Sequence, residues 1–152
     1  MKKIKLITDS TCDLSQVLID QMAVEIVPLY VNIGERDYKD GLELMERDLY
    51  NLVEIHGELP STAAPSPDDY FVAYKKFIEQ GYDILVICVS SKMSASYQNA
   101  CIARELLMFG NIEIIDSLNL STGIGLIVCE AFDATKKDMS LFEITEYLGK
   151  LI

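Results

Sequence analysis

Ile84-Leu85-Val86-Ile87-Cys88-Val89 runs directly into Ser90-Ser91-Lys92-Met93-Ser94-Ala95-Ser96, and this stretch decides the fold. The first six residues are apolar without a polar alternate, and most are β-branched. That pattern predicts a strand covered on both faces, as in a parallel sheet. The second seven are dominated by hydroxyls and open an apolar-periodic segment, so a strand, a polar loop and a helix follow one another. Ile4-Lys5-Leu6-Ile7 and Ile112-Glu113-Ile114-Ile115 repeat the strand signal on either side. Val24-Glu25-Ile26-Val27-Pro28-Leu29-Tyr30-Val31 adds a further run, which Pro28 predicts to bend or to lie at a sheet edge. Its continuation, Val31 to Tyr38, carries Gly34 at its centre and predicts a small hairpin.

Helical segments with marked ends separate these runs. Asp13 is placed to cap a helix over 14–22, and a longer helix over about 43–56 meets Gly57 at its end. Ser66-Pro67-Asp68-Asp69 combines a capping serine, proline at the first helical position and acidic residues at the positive end of the helix dipole. Gly81 is the expected stop for that helix. Two more helices are predicted over 96–109 and 121–135, and Ser140-Leu141-Phe142-Glu143 reads as a capping box for a last one. Strand alternating with helix gives an α/β fold: an open, mainly parallel β-sheet flanked by helices on both faces. The last helix is apolar at Leu141, Phe142, Ile144, Tyr147, Leu148, Leu151 and Ile152, with no later element to cover it. It reads either as a terminal helix docked on its own domain or as the edge of a severed chain.

Composition narrows the function. The chain has 152 residues, half of them hydrophobic and 24% charged, enough for one sizeable core. A formal charge of −11 opposes a nonspecific grip on nucleic acid or on an anionic membrane surface. No export signal is visible after Met1-Lys2-Lys3, because Asp9 interrupts the apolar run. Nor does an apolar stretch approach the roughly 20 residues of a membrane-spanning helix, so a cytoplasmic location is expected. Cys12, Cys88, Cys101 and Cys129 lack metal-ligand spacing, and His56 is the one imidazole. They are expected to be free thiols, with Cys88 and Cys129 acting as small core residues and no metal or cofactor implied.

In an open α/β sheet, ligands bind beyond the carboxyl ends of the strands. Three such ends carry polar groups here: Thr8-Asp9-Ser10-Thr11, Ser90 to Ser96, and Asp116-Ser117. A loop, Ser61-Thr62-Ala63-Ala64-Pro65-Ser66, supplies another hydroxyl in Thr62. Serine and threonine at such places are also ordinary helix caps, which accounts for Ser66, Ser90 and Ser96. Helix ends do not account as simply for Thr62 and Ser94. Asp9 and Asp116 are expected to order loops. Tyr70, Tyr74, Phe77, Met93 and Phe109 read mainly as core, with a minority lining a ligand tunnel.

Taken in order, Ile7-Thr8-Asp9-Ser10-Thr11-Cys12-Asp13-Leu14, Val27-Pro28-Leu29, Tyr38-Lys39-Asp40-Gly41, Thr62 to Pro67, Ser90 to Gln98, and Ile115-Asp116-Ser117 with Gly123 and Gly125 resemble the DegV family. That family includes the fatty-acid-binding subunits of bacterial fatty acid kinase. The resemblance implies a binder of a long-chain acid such as palmitate or stearate, presented to a separate fatty acid kinase catalytic subunit rather than transformed by this chain. By position it implies that Thr62 and Ser94 hold the carboxylate, with Ser10, Ser91, Lys92 and Ser117 in supporting places. The family segment often reads Ser-Ser-Gly-Leu-Ser-Gly-Thr-Tyr-Gln, so Lys92, Met93, Ala95 and Ser96 depart from it. Family members run to about twice this length in two lobes, and the chain resembles the N-terminal lobe, with the second lobe absent and an exposed apolar patch expected.

Two other readings compete. A phosphoryl-transfer or hydrolytic enzyme would use Asp9, although Asp9 and Asp13 are four apart rather than in Asp-x-Asp, no Gly-x-x-x-x-Gly-Lys-Ser/Thr loop occurs, and His56 sits at an acidic helix end. A protein-interaction module without a ligand would use the acidic surface and the last helix instead.

Overall fold

A computed structural model of the chain describes residues 3–107 and 109–152. The stretch 84–89 forms the middle of the molecule. In chain order the elements are β1 (Ile4–Asp9), a 3-10 turn (Ser10–Cys12), α1 (Gln16–Met22), β2 (Glu25–Val27), β3 (Tyr30–Ile33), β4 (Arg36–Lys39), α2 (Glu46–His56), β5 (Ser61–Ala63), α3 (Pro67–Ile78), β6 (Asp83–Cys88), α4 (Ser96–Leu106), β7 (Ile112–Asp116), α5 (Thr122–Thr135) and α6 (Leu141–Leu148). A four-stranded parallel sheet has the order β2-β1-β6-β7. Its central strand explains the unbroken apolar run, because alternate residues meet different helices. Leu85, Ile87 and Val89 join Ile124 and Val128 of α5 and Ile144 and Leu148 of α6. Ile84, Val86 and Cys88 join Tyr70, Tyr74 and Phe77 of α3 and Ala100 and Ala103 of α4. Each strand residue is lost to solvent on one side or the other, which favours this register by about 1.5–3 kcal/mol per large apolar side chain.

Pro28 divides its run into strands of different sheets. β2 ends at Val27 on the edge of the parallel sheet, and β3 begins at Tyr30 in an antiparallel sheet of order β4-β3-β5. The expected hairpin is β3 and β4, with Ile33 opposite Arg36 and Gly34-Glu35 between them. Gly34 has φ 62°, so this turn favours glycine for its dihedral; a Cβ there would lie 2.5 Å from the exposed His56 ring, which would have to swing aside. Strand β5 falls where the sequence reads as a loop, with Thr62 opposite Val31.

Several helix ends differ from expectation. Asp13 does not cap α1: it adopts a left-handed conformation at φ 49° after the 3-10 turn, and Ser15 caps instead by accepting from the Leu18 amide. Helix α2 starts at Glu46 and ends against Gly57 at φ 67°. Helix α4 stops at Leu106 rather than 109, since Leu107 is already extended. Phe109 is exposed instead of core, while Tyr70, Tyr74 and Phe77 are buried as expected. Capping boxes form at Ser66/Asp69 and at Ser140/Glu143. Helix α6 docks on its own domain through Leu141, Ile144 and Leu148, leaving Phe142 68% and Leu151 53% exposed. Cys88 lies wholly in the core and Cys129 packs against its edge. Among the described residues, no helix is long and apolar enough to cross a membrane.

Candidate functional site

The carboxyl ends of β1 and β6 lie side by side, and most of their polar atoms are engaged in holding the loops. Asp9 is wholly buried: one carboxylate oxygen accepts from the amide and hydroxyl of Thr11, and the other accepts from the Val89 amide at 2.8 Å. Burial pushes the Asp9 carboxyl up from its ordinary value, against the opposing pull of these hydrogen bonds. A phosphoryl-transfer role would need an accessible carboxylate, whereas this one has no exposed surface and both oxygens occupied. Asp116 behaves as expected for a loop-ordering group, accepting from the amides of Ser91 at 3.0 Å and Leu118 at 3.1 Å. Burial acts upward on it, but the Ser91 hydroxyl and amide, the Leu118 amide and the Lys92 charge outweigh that and hold its pKa below the ordinary carboxylate value.

Beside these loops is an open cleft of about 370 Å³. Thr11, Thr62 and Ser94 are its hydroxyl-bearing lining residues; Leu29, Ala64, Val89, Met93, Ala95 and Leu120 supply the apolar lining. Thr62 and Ser94, 32 residues apart in the chain, are therefore brought to the lining of one cleft by β5 and by the loop leading into α4. The Thr62 hydroxyl forms no hydrogen bond among the described residues. Ser94 is partly engaged: its Oγ lies 2.9 Å from the Ser96 Oγ and accepts from the Ser96 amide at 3.2 Å. Ser96 is buried, so the pair fixes Ser94 at the start of α4, where Ala95 offers no side-chain cap. Ser96 is thus not the cap of α4; the Ser94 Oγ accepts from its amide instead, and Ser94 keeps its O–H for a further acceptor when Ser96 donates within the pair.

The four supporting positions do not line the cleft. Ser10 Oγ accepts from the Leu29 amide at 3.1 Å. Ser117 is buried and bonded both ways to the Asn119 backbone. Ser91 and Lys92 are exposed around the Asp116 carboxylate. Met93 is exposed and lines the cleft instead of entering the core. Sequence reasoning missed Thr11, which takes the place at the cleft that Ser10 was expected to have. In the 3-10 turn the Ser10 hydroxyl is taken up by the Leu29 amide while Thr11, its own hydroxyl bonded to Asp9, borders the cleft; two adjacent hydroxyls carry no signal for this exchange.

The DegV family model, described as "Uncharacterised protein, DegV family", matches residues 3–152. This chain belongs to the DegV family. It is 39% identical over 151 residues to a DegV domain-containing protein of Clostridium perfringens, covering 97% of this chain and 54% of that one. A DegV family protein from Thermus thermophilus, described as fatty-acid binding, superposes with a TM-score of 0.89 at 32% identity, covering 98% of this chain and 53% of that one. A stearic-acid-binding protein from Eubacterium ventriosum superposes with a TM-score of 0.88 at 29% identity, covering 98% and 52%. This DegV chain spans about half the length of the relatives it matches.

Proposed function

We propose that this DegV chain is a cytoplasmic fatty-acid-binding protein. It holds a long-chain acid such as palmitate or stearate by its carboxylate at Thr62 and Ser94, and presents it to a separate fatty acid kinase catalytic subunit. One observation carries the reading: Thr62, whose hydroxyl is unengaged among the described residues, and Ser94 line one cleft whose remaining lining is apolar apart from Thr11. A carboxylate accepts hydrogen bonds only, which suits hydroxyl donors, and its alkyl tail suits Leu29, Val89, Met93 and Leu120. At about 0.8 kcal/mol per buried methylene the tail supplies most of the affinity, and the hydroxyls set its direction. The fatty-acid binding described for the Thermus and Eubacterium relatives supports the same ligand class. In this reading the chain corresponds to the N-terminal lobe of its longer relatives, and further carboxylate contacts come from the remaining half.

Organic extraction and mass spectrometry of the freshly purified protein, before and after incubation with ¹³C-palmitate, test the proposal. A long-chain acid is expected from the wild type, and its retention is expected to be weaker in Thr62→Ala/Ser94→Ala with the circular dichroism unchanged. Equal retention by the double variant would remove both hydroxyls from the site. No retention by the wild type, with added acid present, would overturn the assignment for this chain.

A further inference from the structure

Thr62 and Ser94 approach the cleft on two differently supported parts of the fold. Ser94 leads into α4, whose Ala100 and Ala103 lie in the main core. Thr62 lies on β5, a three-residue edge strand exposed at every position. The antiparallel sheet that carries it buries Val31 and Ile33, with Leu29 and Leu44 beside them, and none of these four belongs to either main cluster. β5 itself buries no side chain, and apolar packing reaches it only through Pro65 and the α3–α4 contact that follows. Polar links add to this. Tyr30 of β3 donates its hydroxyl to the Asp69 carboxylate at 3.0 Å, and Asp69 also completes the α3 capping box. Asn99, in the first turn of α4, donates from Nδ2 to the Pro65 carbonyl at 2.8 Å.

The second link lies behind the cleft lining and joins the segments that carry it. Pro65 is three residues beyond Thr62, and Asn99 is five beyond Ser94, so one hydrogen bond joins the segments that carry the two hydroxyls. Pro65 is buried and its carbonyl has no second partner among the described residues, so its acceptor depends on this amide. We propose that Asn99 is a positioning residue for the ligand site: its bond to Pro65 sets the separation of Thr62 from Ser94 and so the fit of the carboxylate between them. The inference rests on the fatty-acid reading for its effect on binding, but not for its effect on structure.

Asn99→Asp removes the donor while keeping the side-chain shape, and places a carboxylate against the Pro65 carbonyl. In the ligand-free protein with labelled alanine and threonine methyls, the Thr62, Ala63 and Ala64 signals are expected to shift or broaden, while Ala131 and Ala134 in the opposite core stay fixed. Unmoved Thr62 and Ala64 methyls would overturn the proposal whatever the chain binds. With ¹³C-palmitate, Asn99→Asp should weaken retention about two- to ten-fold, the range for one lost hydrogen bond. The loss should vanish in a Thr62→Ala background, because the residue acts through Thr62, and shrink in Ser94→Ala, where no second hydroxyl remains for the separation to fit. Acidification should shrink the defect relative to wild type, since the protonated substituted side chain regains an O–H donor. A loss of the same size in the Thr62→Ala background would mark a general structural effect and refute the assignment. If wild type and Thr62→Ala retain the acid equally, the fatty-acid site at Thr62 falls instead, and the methyl spectra still decide the structural claim.

Discussion

Replacing Asp9 by asparagine removes a buried charge, yet the structure predicts a loss of stability. The Asp9 carboxylate uses both oxygens: one accepts from the Thr11 amide and hydroxyl, the other from the Val89 amide at 2.8 Å. Asparagine has one oxygen. If that oxygen keeps Thr11, the new NH₂ points at the Val89 N–H, donor against donor; the flipped amide strands the Thr11 amide. Either way a buried donor loses its partner, at a cost of about 1–3 kcal/mol. Relief of the desolvation that raises the Asp9 pKa acts in the other direction and places the net loss towards the lower part of that range. The pH dependence has a definite sign. The folded pKa lies above the unfolded value of about 3.9, so the folded chain binds the proton more tightly. Asp9 therefore contributes most stability below the unfolded pKa and loses part of it as pH rises through the folded one. Urea unfolding of wild type and Asp9→Asn from pH 4 to pH 7 tests both claims. The wild-type advantage should be present at pH 7 and larger at pH 4. A variant at least as stable as wild type at pH 7 would refute the hydrogen-bond argument, and an advantage growing with pH would refute the direction of the shift.

Leu148→Ala should cost about 2–5 kcal/mol in urea unfolding, because Leu148 is fully buried between α6 and the sheet, whereas Phe142→Ser on the same helix should stay within about 0.5 kcal/mol. Equal effects would mean that α6 is not docked as described. Gly125→Ala sets two terms in opposition: alanine favours the helix by about 1 kcal/mol, but its Cβ would lie 2.8 Å from the Cys12 carbonyl oxygen, an overpacking that costs about 1–3 kcal/mol. A lower melting temperature is expected, by the equivalent of up to about 2 kcal/mol, and a higher one would show that α5 can move away from the 3-10 turn.

The parts of the fold legible in the sequence are those where one physical demand dominates. The run 84–89 has to be apolar on both faces, Pro28 has no amide for a ladder, and Ser66-Pro67-Asp68-Asp69 and Ser140 to Glu143 each satisfy several helix-start requirements together. The misread parts are those where neighbouring residues offer the same chemistry. Asp13 and Ser15 are both good caps, and only the left-handed turn at Asp13 hands the role to Ser15. Ser94 and Ser96 bond each other, and the helix begins after Ala95, so the serine expected to cap it is its first residue instead. Strand β5 has neither length nor alternation; it exists because β3 offers it an edge. That Thr62 lines the same cleft as Ser94 came from a family resemblance rather than from spacing, since nothing in the 31 intervening residues encodes it.

Hydroxyls at strand ends look like chemistry in a sequence because folding and binding use the same groups. The structure separates the two uses by asking whether the hydroxyl is already engaged. Thr8 donates to the Ile87 carbonyl at 2.8 Å, Ser10 accepts from Leu29, Thr11 donates to Asp9, and Ser117 closes its own loop. These bonds hold β1, β6 and β7 together where their side chains give out, and they leave little capacity for a ligand. Thr62 differs because it arrives from the second sheet, outside the parallel unit whose loops need tying. A ligand head placed against it meets a donor that the fold does not require. Strand β5 is correspondingly the least buried strand of the molecule, so the group freest to bind is also the one most dependent on Tyr30–Asp69 and Asn99–Pro65 for its position.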